Sequence, residues 1–424
     1  MIEQTPSKWG QKKFFLLIRL ISATIGTATM LALIRILSIE AFAAIAVIEG
    51  VVTILKRTLG FGLGEALARE IAAEKSISKK MNLLKYVLFL RLKLGLVAGV
   101  VLSVFSVISI WIYDDPNINI LFLVNIPLLI LIFPQQGGQS GVMGLGRFGH
   151  LLLLQMVAPL LNMMCVVSLS FFFGVYGYFF GRLASNAVLF VITLWFLRDV
   201  LTVASSQQTN KKTTSELSQL WDVSFFSYIS GLSLKAWEGL PFIIGAAFLP
   251  AQAVGVSSIA FKFTNRINLG NQAFAKFLSP LMTIKWVSKK SGFVKDVTKE
   301  IYQIFLFNLM VGLIICFLWH FGGDKIIQAE KVASVGMVFY VFIGMQLILG
   351  LTHTLRQLII VPSKNLQRFL TPMIVLRFSV IPILFAGIYL GLDQKWIIPV
   401  SLVSTSFVVL LLFVSRSMTV LRSR

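Results

Sequence analysis

Uninterrupted apolar runs of about 20 residues recur along this chain, and no other feature limits its fold so strongly. A helix rising 1.5 Å per residue crosses a hydrocarbon core of about 30 Å in about 20 residues. Lipid offers a backbone amide no partner, so only helices or closed barrels cross it. Barrel strands alternate apolar and polar residues, and these runs do not. The sequence therefore predicts an all-α polytopic membrane protein. About twelve transmembrane helices are expected, at 14–36, 39–62, 86–112, 118–140, 151–172 and 178–197, then 223–248, 254–283, 301–320, 332–352, 370–390 and 397–415.

Composition agrees. Of 424 residues, 57% are hydrophobic and 13% charged, about half the charged fraction of a soluble protein. The 38 Lys and Arg outnumber 17 Asp and Glu, giving a net charge of +21. Such an excess raises nucleic-acid binding as a first idea. The cations, however, sit in short segments between apolar runs rather than on one soluble face, and no nucleic-acid partner is expected. With twelve spans, one side carries Lys8, Lys12, Lys13, Arg69, Lys75, Lys79, Lys80, Lys85, Arg147, Arg198, Lys211 and Lys212. The same side carries Lys285, Lys289, Lys290, Lys295, Lys299, Arg356, Lys364, Arg368, Arg416, Arg422 and Arg424. The opposite loops carry Lys325, Lys331 and Lys395 with five acidic residues, Asp114, Asp115, Asp324, Glu330 and Asp393. Roughly 23 cations against roughly 3 places both termini in the cytoplasm by the positive-inside rule. Lys8, Lys12 and Lys13 lead into a run too long for a signal h-region, so no cleavable signal peptide is expected.

The chain reads as two halves, 1–205 and 206–424, with six spans each. Between them the Ser-, Thr-, Gln- and Lys-rich stretch 198–222 has the composition of a flexible linker. Ala32–Phe42 joins spans one and two, and Ala246–Gly255 joins spans seven and eight. Leu145-Gly146-Arg147-Phe148-Gly149 precedes span five, and Asn365-Leu366-Gln367-Arg368-Phe369 precedes span eleven. Both echoes are spaced by about 210–220 residues, as a duplication requires. Two six-helix bundles related by an axis along the membrane normal, around a central cavity, could rock to give alternating access.

Catalytic signatures are missing. Cys165 and Cys316 are lone residues in apolar runs, so neither a disulfide nor a metal site is expected. His150, His320 and His353 are isolated near span ends, and no catalytic pair or triad is visible, so neither enzyme activity nor a cofactor is expected. Pro134-Gln135-Gln136-Gly137-Gly138-Gln139-Ser140-Gly141 lacks the phosphate-loop pattern and suits a close helix crossing or a cavity wall.

A charge deep in a span costs at least about 2.5–3.5 kcal/mol on insertion scales, so each needs a reason. Arg35, Arg91, Lys93, Arg182 and Lys276 lie near span ends, where snorkelling suffices. Lys56, Arg57 and Glu65 flank the inner end of span two and read as interfacial, while Arg377 is ambiguous. Arg19, Glu49, Lys235, Glu238, Lys262 and Arg266 lie deeper. Lys262 and Arg266 share a helix face, and Lys235 and Glu238 are spaced to pair. Asn265, Asn268, Asn271 and Gln272 make span eight too polar to face lipid. Either these groups glue helices as buried pairs, or they line an aqueous cavity. Span eight carries two cations on one face and no anion, which favours a positive cavity that attracts an anionic substrate.

With twelve spans, the Leu33-Ile34-Arg35-Ile36-Leu37-Ser38-Ile39-Glu40-Ala41-Phe42 join and the Gly144-Leu145-Gly146-Arg147-Phe148 turn, the chain resembles the Wzx-type polysaccharide flippases of the multidrug/oligosaccharidyl-lipid/polysaccharide exporter superfamily. The resemblance implies a bacterial inner-membrane flippase moving an undecaprenyl-diphosphate-linked oligosaccharide to the outer leaflet for O-antigen or other surface polysaccharide. Surface-polysaccharide assembly proteins would be partners. On that reading Arg19, Lys235, Lys262 and Arg266 contact the anionic head group, and Glu49 and Glu238 are charge partners or coupling-ion sites. An ion-coupled multidrug exporter of the same superfamily is the alternative. A membrane polymerase would be expected to carry a large periplasmic loop, which the sequence lacks.

Overall fold

The computed structural model describes residues 8–61, 63–74, 76–113, 115, 117–202, 213–268, 293–326, 329–355, 358 and 366–422, with side chains placed for a narrower set. Every regular element described is a helix. In chain order they are α1 (Lys8–Ile36), α2 (Ile39–Gly60), α3 (Leu63–Ala73), α4 (Ile77–Ile112), α5 (Asn117–Gly144), α6 (Phe148–Asn162) and α7 (Ser168–Thr202). There follow α8 (Thr213–Phe248), α9 (Ala251–Thr264), α10 (Phe293–Ile326), α11 (Ala329–Leu355), α12 (Leu366–Phe378), α13 (Val380–Tyr389) and α14 (Gln394–Arg422). Helix covers most of every predicted span that is described, and among the described residues seven stretches are long and apolar enough to cross a membrane on those grounds alone. One of them, Gly149–Asp199, is 51 residues long, enough for two crossings. The chain reverses at Gly174, whose φ of 57° is open to glycine at little cost. Beyond the turn, a Cβ on Gly177 would strike the carbonyl of Leu169, so only glycine lets the two limbs close this tightly.

The helices form two compact units, Met1–Thr29 with Ile48–Lys235 and Met30–Val47 with Ala236–Arg424. Compactness thus divides the chain differently from the duplication read in the sequence, because α1, α2 and α8 are long enough for their two ends to pack among different neighbours. The linker expected at 198–222 is also shorter than its composition suggests. α7 runs to Thr202 and α8 begins at Thr213, leaving 203–212 outside the described residues.

In the first unit α5 is the central packing element. Its Gly138 faces Thr193 of α7, Gly141 faces Leu84 of α4, and Gly144 lies against Ala68 and Ile71 of α3, all closer than a Cβ would tolerate. The Gly-rich end of span four is therefore a close helix crossing. The amphipathic α3, unforeseen in the sequence, places Leu67 and Ile71 in a core with Met81, Leu84, Val142, Leu189 and Leu197. A π-helical turn, Met163–Val167, joins α6 to α7.

In the second unit the aromatic rings of Phe263, Trp319 and Phe339 join α9, α10 and α11. Helix α2 starts at Ser38, whose hydroxyl accepts the Ala41 N–H at 3.2 Å. Helix α9 starts after Pro250, a residue pre-set for a helix entry. The α1–α2 and α8–α9 joints are thus both two-residue breaks, at the places where the sequence echoes itself. Lys331, read as a residue of an outer loop, lies instead in the first turns of α11 and is buried. Its ammonium donates to the Ile34 carbonyl at 2.9 Å and the Leu37 carbonyl at 2.7 Å, which closes the C-terminal end of α1. Helix α11 then bends at Gly336, whose φ is 31°.

Candidate functional site

The richest cluster of charge within the described spans lies in the first unit, where α2, α7 and α8 contribute one face each. Glu49 and Lys56 are seven residues apart on α2, close to two full turns, so they fall on the same side of the helix. Tyr178 and Arg182, four apart on α7, share a face in the same way. Glu49 Oε1 accepts the Tyr178 hydroxyl at 2.5 Å and also accepts Arg182 Nη1 in an ion pair. The Arg182 guanidinium lies 5.8 Å from the Tyr178 ring centre, so the tyrosine both flanks and bridges the pair.

Further cations gather around this pair. Lys56 is half-buried and lies within electrostatic reach of Arg182, Lys235, Arg57 and Glu49. Arg57 is pressed against α8 at Gly231, where any Cβ would collide with the guanidinium. The same face of α8 carries Tyr228, whose hydroxyl donates to the Thr58 carbonyl at 2.9 Å, and Lys235, one turn beyond Gly231. Lys56, Arg57 and Lys235 thus gather near the Glu49–Arg182 pair. Arg182 and Glu49 keep 24% and 25% of their side-chain surface exposed. A polar pair left this open at mid-span would be costly against lipid.

The structure redistributes the roles read from the sequence. Arg182, expected to snorkel, is paired with Glu49. Lys56 and Arg57, expected at the interface, join the cluster. Arg91, also expected to snorkel, is only 4% exposed. Its Nη1 approaches the Phe133 carbonyl at 3.4 Å, in a slot made by Gly64 and Gly137. Depth along a single helix is a poor guide to these residues because partners on other helices decide where they point. The helical spacings of Glu49 with Lys56, seven residues, and of Tyr178 with Arg182, four residues, were the signal that could have joined them.

Of the other expected site residues, Lys235 belongs to the cluster in the first unit. Arg19 lies in α1, its side chain outside the described set. Glu238, Lys262 and Arg266 belong to the second unit and are each half-buried. Span eight is not continuous: α9 ends at Thr264, and a turn at Asn265 and Arg266 follows. Lys262 therefore sits in a helix's last turn, where a cation complements the exposed carbonyls. Asn268, just past the turn, donates to the Gln346 side chain on α11. Asn271, Gln272 and Lys276 lie outside the described residues.

No protein-family model matches the chain, and no curated protein sequence matches it. Solved structures do. An inward-facing conformation of a multidrug resistance MATE family transporter of the MOP superfamily superposes with a TM-score of 0.73 at 17% identity, over 96% of this chain and 99% of that one. An outward-facing conformation of such a transporter gives 0.66 at 16%, over 97% and 96%. The lipid II flippase MurJ in an inward closed conformation gives 0.70 at 13%, over 95% and 87%. The chain therefore has, over nearly its whole length, the all-helical membrane fold seen in the MATE and MurJ transporter structures.

Proposed function

We propose that this protein is a membrane transporter that moves an undecaprenyl-diphosphate-linked oligosaccharide from the cytoplasmic to the outer leaflet by alternating access. The observation that carries this reading is the gathering of basic side chains where α2, α7 and α8 meet. Lys56, Arg57 and Lys235 gather near the Glu49–Arg182 pair. A site lined with basic groups draws anionic cargo and disfavours cationic cargo. A pyrophosphate supplies two or more negative charges in oxygens that match guanidinium and ammonium donors. The fold adds support, since one structure that shares it is a lipid II flippase and others are MATE transporters in inward- and outward-facing conformations. On this reading Arg19, Lys262 and Arg266 provide further head-group contacts. The halves 1–205 and 206–424 are duplicated units, and the protein resides in the bacterial inner membrane with both termini in the cytoplasm. Surface-polysaccharide assembly proteins are its expected partners.

The second reading, an ion-coupled multidrug exporter, is favoured by the MATE structures among the neighbours. The sign of the cluster speaks against organic cations as cargo. A direct test replaces Lys56 and Lys235 with Gln in the native host and measures surface polysaccharide at matched protein level. Each lost charge-assisted contact is expected to lower output about tenfold where head-group binding limits transport. Unchanged polysaccharide together with altered drug efflux would favour the exporter.

A further inference from the structure

We propose that Arg91 is the centre of an anion site, between the first turn of α3 and the Gly-rich end of α5, that takes a single phosphate group. The site is built from α3, α4 and α5, not from the helices of the cluster described above, and it does not depend on which cargo is carried.

Arg91 is 4% exposed, yet its donors are poorly met. A guanidinium carries five N–H groups and no acceptor. Among the described residues Arg91 makes one hydrogen bond, from Nη1 to the Phe133 carbonyl at 3.4 Å, which is long for such a bond. Its Nε is buried with no acceptor. A charge taken this far out of water is costly unless it is paired and its donors are answered. The neighbouring helix end adds to the demand. Gly64 lies in the first turn of α3, an 11-residue helix, and a Cβ there would sit 2.9 Å from Arg91 Nη2. A Cβ tilts toward the N-terminus of its helix, so the guanidinium lies against that end of α3. A helix N-terminus presents free N–H groups and partial positive charge. Two positive groups thus meet across a glycine, an arrangement that an anion resolves. On the other wall a Cβ on Gly137 of α5 would stand 2.8 Å from Arg91 Cδ. Both glycines leave out a methyl group that would press on the side chain, so a small shift of the first turn of α3 admits a ligand. Phosphate suits the place because its oxygens match guanidinium donors and helix-end amides alike. Arg91 follows the expected span start at 86 by five residues, about 8 Å of helical rise, and its side chain leans back toward that end. Lipid head groups and phosphate in water both come within reach of that level.

The test is equilibrium binding to the full chain in maltoside micelles, which contain no phosphate. Phosphatidylglycerol is the lipid probe, and inorganic phosphate is a separate arm. Wild type is expected to bind one of them saturably. Arg91→Gln should weaken that binding roughly ten- to a hundredfold, the worth of a charge-assisted bond. Gly64→Ala keeps every charge, sets a methyl group against Nη2 and should also weaken it. The atoms that methyl meets are the ends of the Arg91 and Ser140 side chains, which can shift, so this variant decides the matter if Arg91→Gln does not fold. Lys93→Gln removes an exposed cation two residues along α4 and should leave the affinity unchanged. Saturation by phosphatidylglycerol assigns the site to a lipid head group, and saturation by inorganic phosphate alone assigns it to a free anion; either upholds the site where Arg91 is required. No saturable binding, equal affinity in folded Arg91→Gln or Gly64→Ala, or an equal loss in Lys93→Gln overturns it. Binding that emerges only when Glu65, the next residue of α3, is replaced by Gln overturns it too, since the chain then supplies its own anion.

Discussion

Replacing Lys331 with Met tests whether the end of α1 is held by a single side chain from α11. The perturbation is nearly isosteric, so it removes the ammonium and leaves the aliphatic stem in place. Two contacts vanish, to the Ile34 carbonyl at 2.9 Å and the Leu37 carbonyl at 2.7 Å. A hydrogen bond to a charged group is worth about 1.5–3 kcal/mol net, and a cation at a helix C-terminus about 0.3–1 kcal/mol. Removing the ammonium also recovers part of the several kcal/mol that burying it costs. The balance is a loss of about 2–4 kcal/mol, because the two carbonyls are left without their donor. For a unit of this size, soluble-protein scaling converts this to a fall in Tm of about 4–16 °C. Thermal unfolding in detergent, followed by the protection of a thiol at Ala43→Cys, a buried position early in α2, reads both the Tm and local opening near the α1–α2 joint. Lys331→Arg should retain most of the stability. A Lys331→Met protein melting within about 1 °C of wild type, with the thiol equally protected, would refute the reasoning.

Three further outcomes are expected. Gly177→Ala should abolish accumulation of folded protein, since its methyl would overlap the Leu169 carbonyl; expression followed by size-exclusion chromatography checks this. Asp199→Asn should cost under about 1 kcal/mol, because its pair with Arg147 is exposed, whereas Arg147→Ala also loses the Phe196 carbonyl and should cost more; chemical denaturation separates the two. The Asp393 carboxyl is held below the ordinary carboxylate range by its hydrogen bond with Lys395, so it stabilises the start of α14 above the unfolded Asp pKa of about 3.9. That contribution should disappear as pH falls through the lowered folded value. Amide exchange at Lys395 and Trp396 between pH 2 and 6 reports it, and exchange protection that is flat across this range would count against the assignment.

The spans were legible because lipid imposes one simple demand, an apolar helix of sufficient length, and 86–112 and 118–140 meet it residue by residue. The turn at Gly174–Gly177 was legible for a similar reason: two glycines between apolar runs have few other uses. Helix α3 was hidden because its apolar side, Leu63, Leu67 and Ile71, sits among charges that the positive-inside argument counted as a loop. Breaks at Asn265 and Ser379 were equally hidden, since nothing local in the sequence demands them. The site was half legible. Glu49 and Lys235 stood out by depth, but Arg182 and Lys56 take their meaning from partners more than 100 residues away in the chain, which single-helix periodicity does not reach.

The π-helical turn at Met163–Val167 means that the hairpin reversing at Gly174 is built with a residue to spare. An α-helix advances 100° per residue, so the extra residue re-aims everything between it and Gly174 by about that angle. Excising Cys165 would restore ordinary winding and swing Phe171, Phe172 and Phe173, now 70%, 72% and 59% exposed, onto a different side of the limb. The hairpin's aromatic tip is thus oriented by one residue's worth of slack in the helix that leads to it.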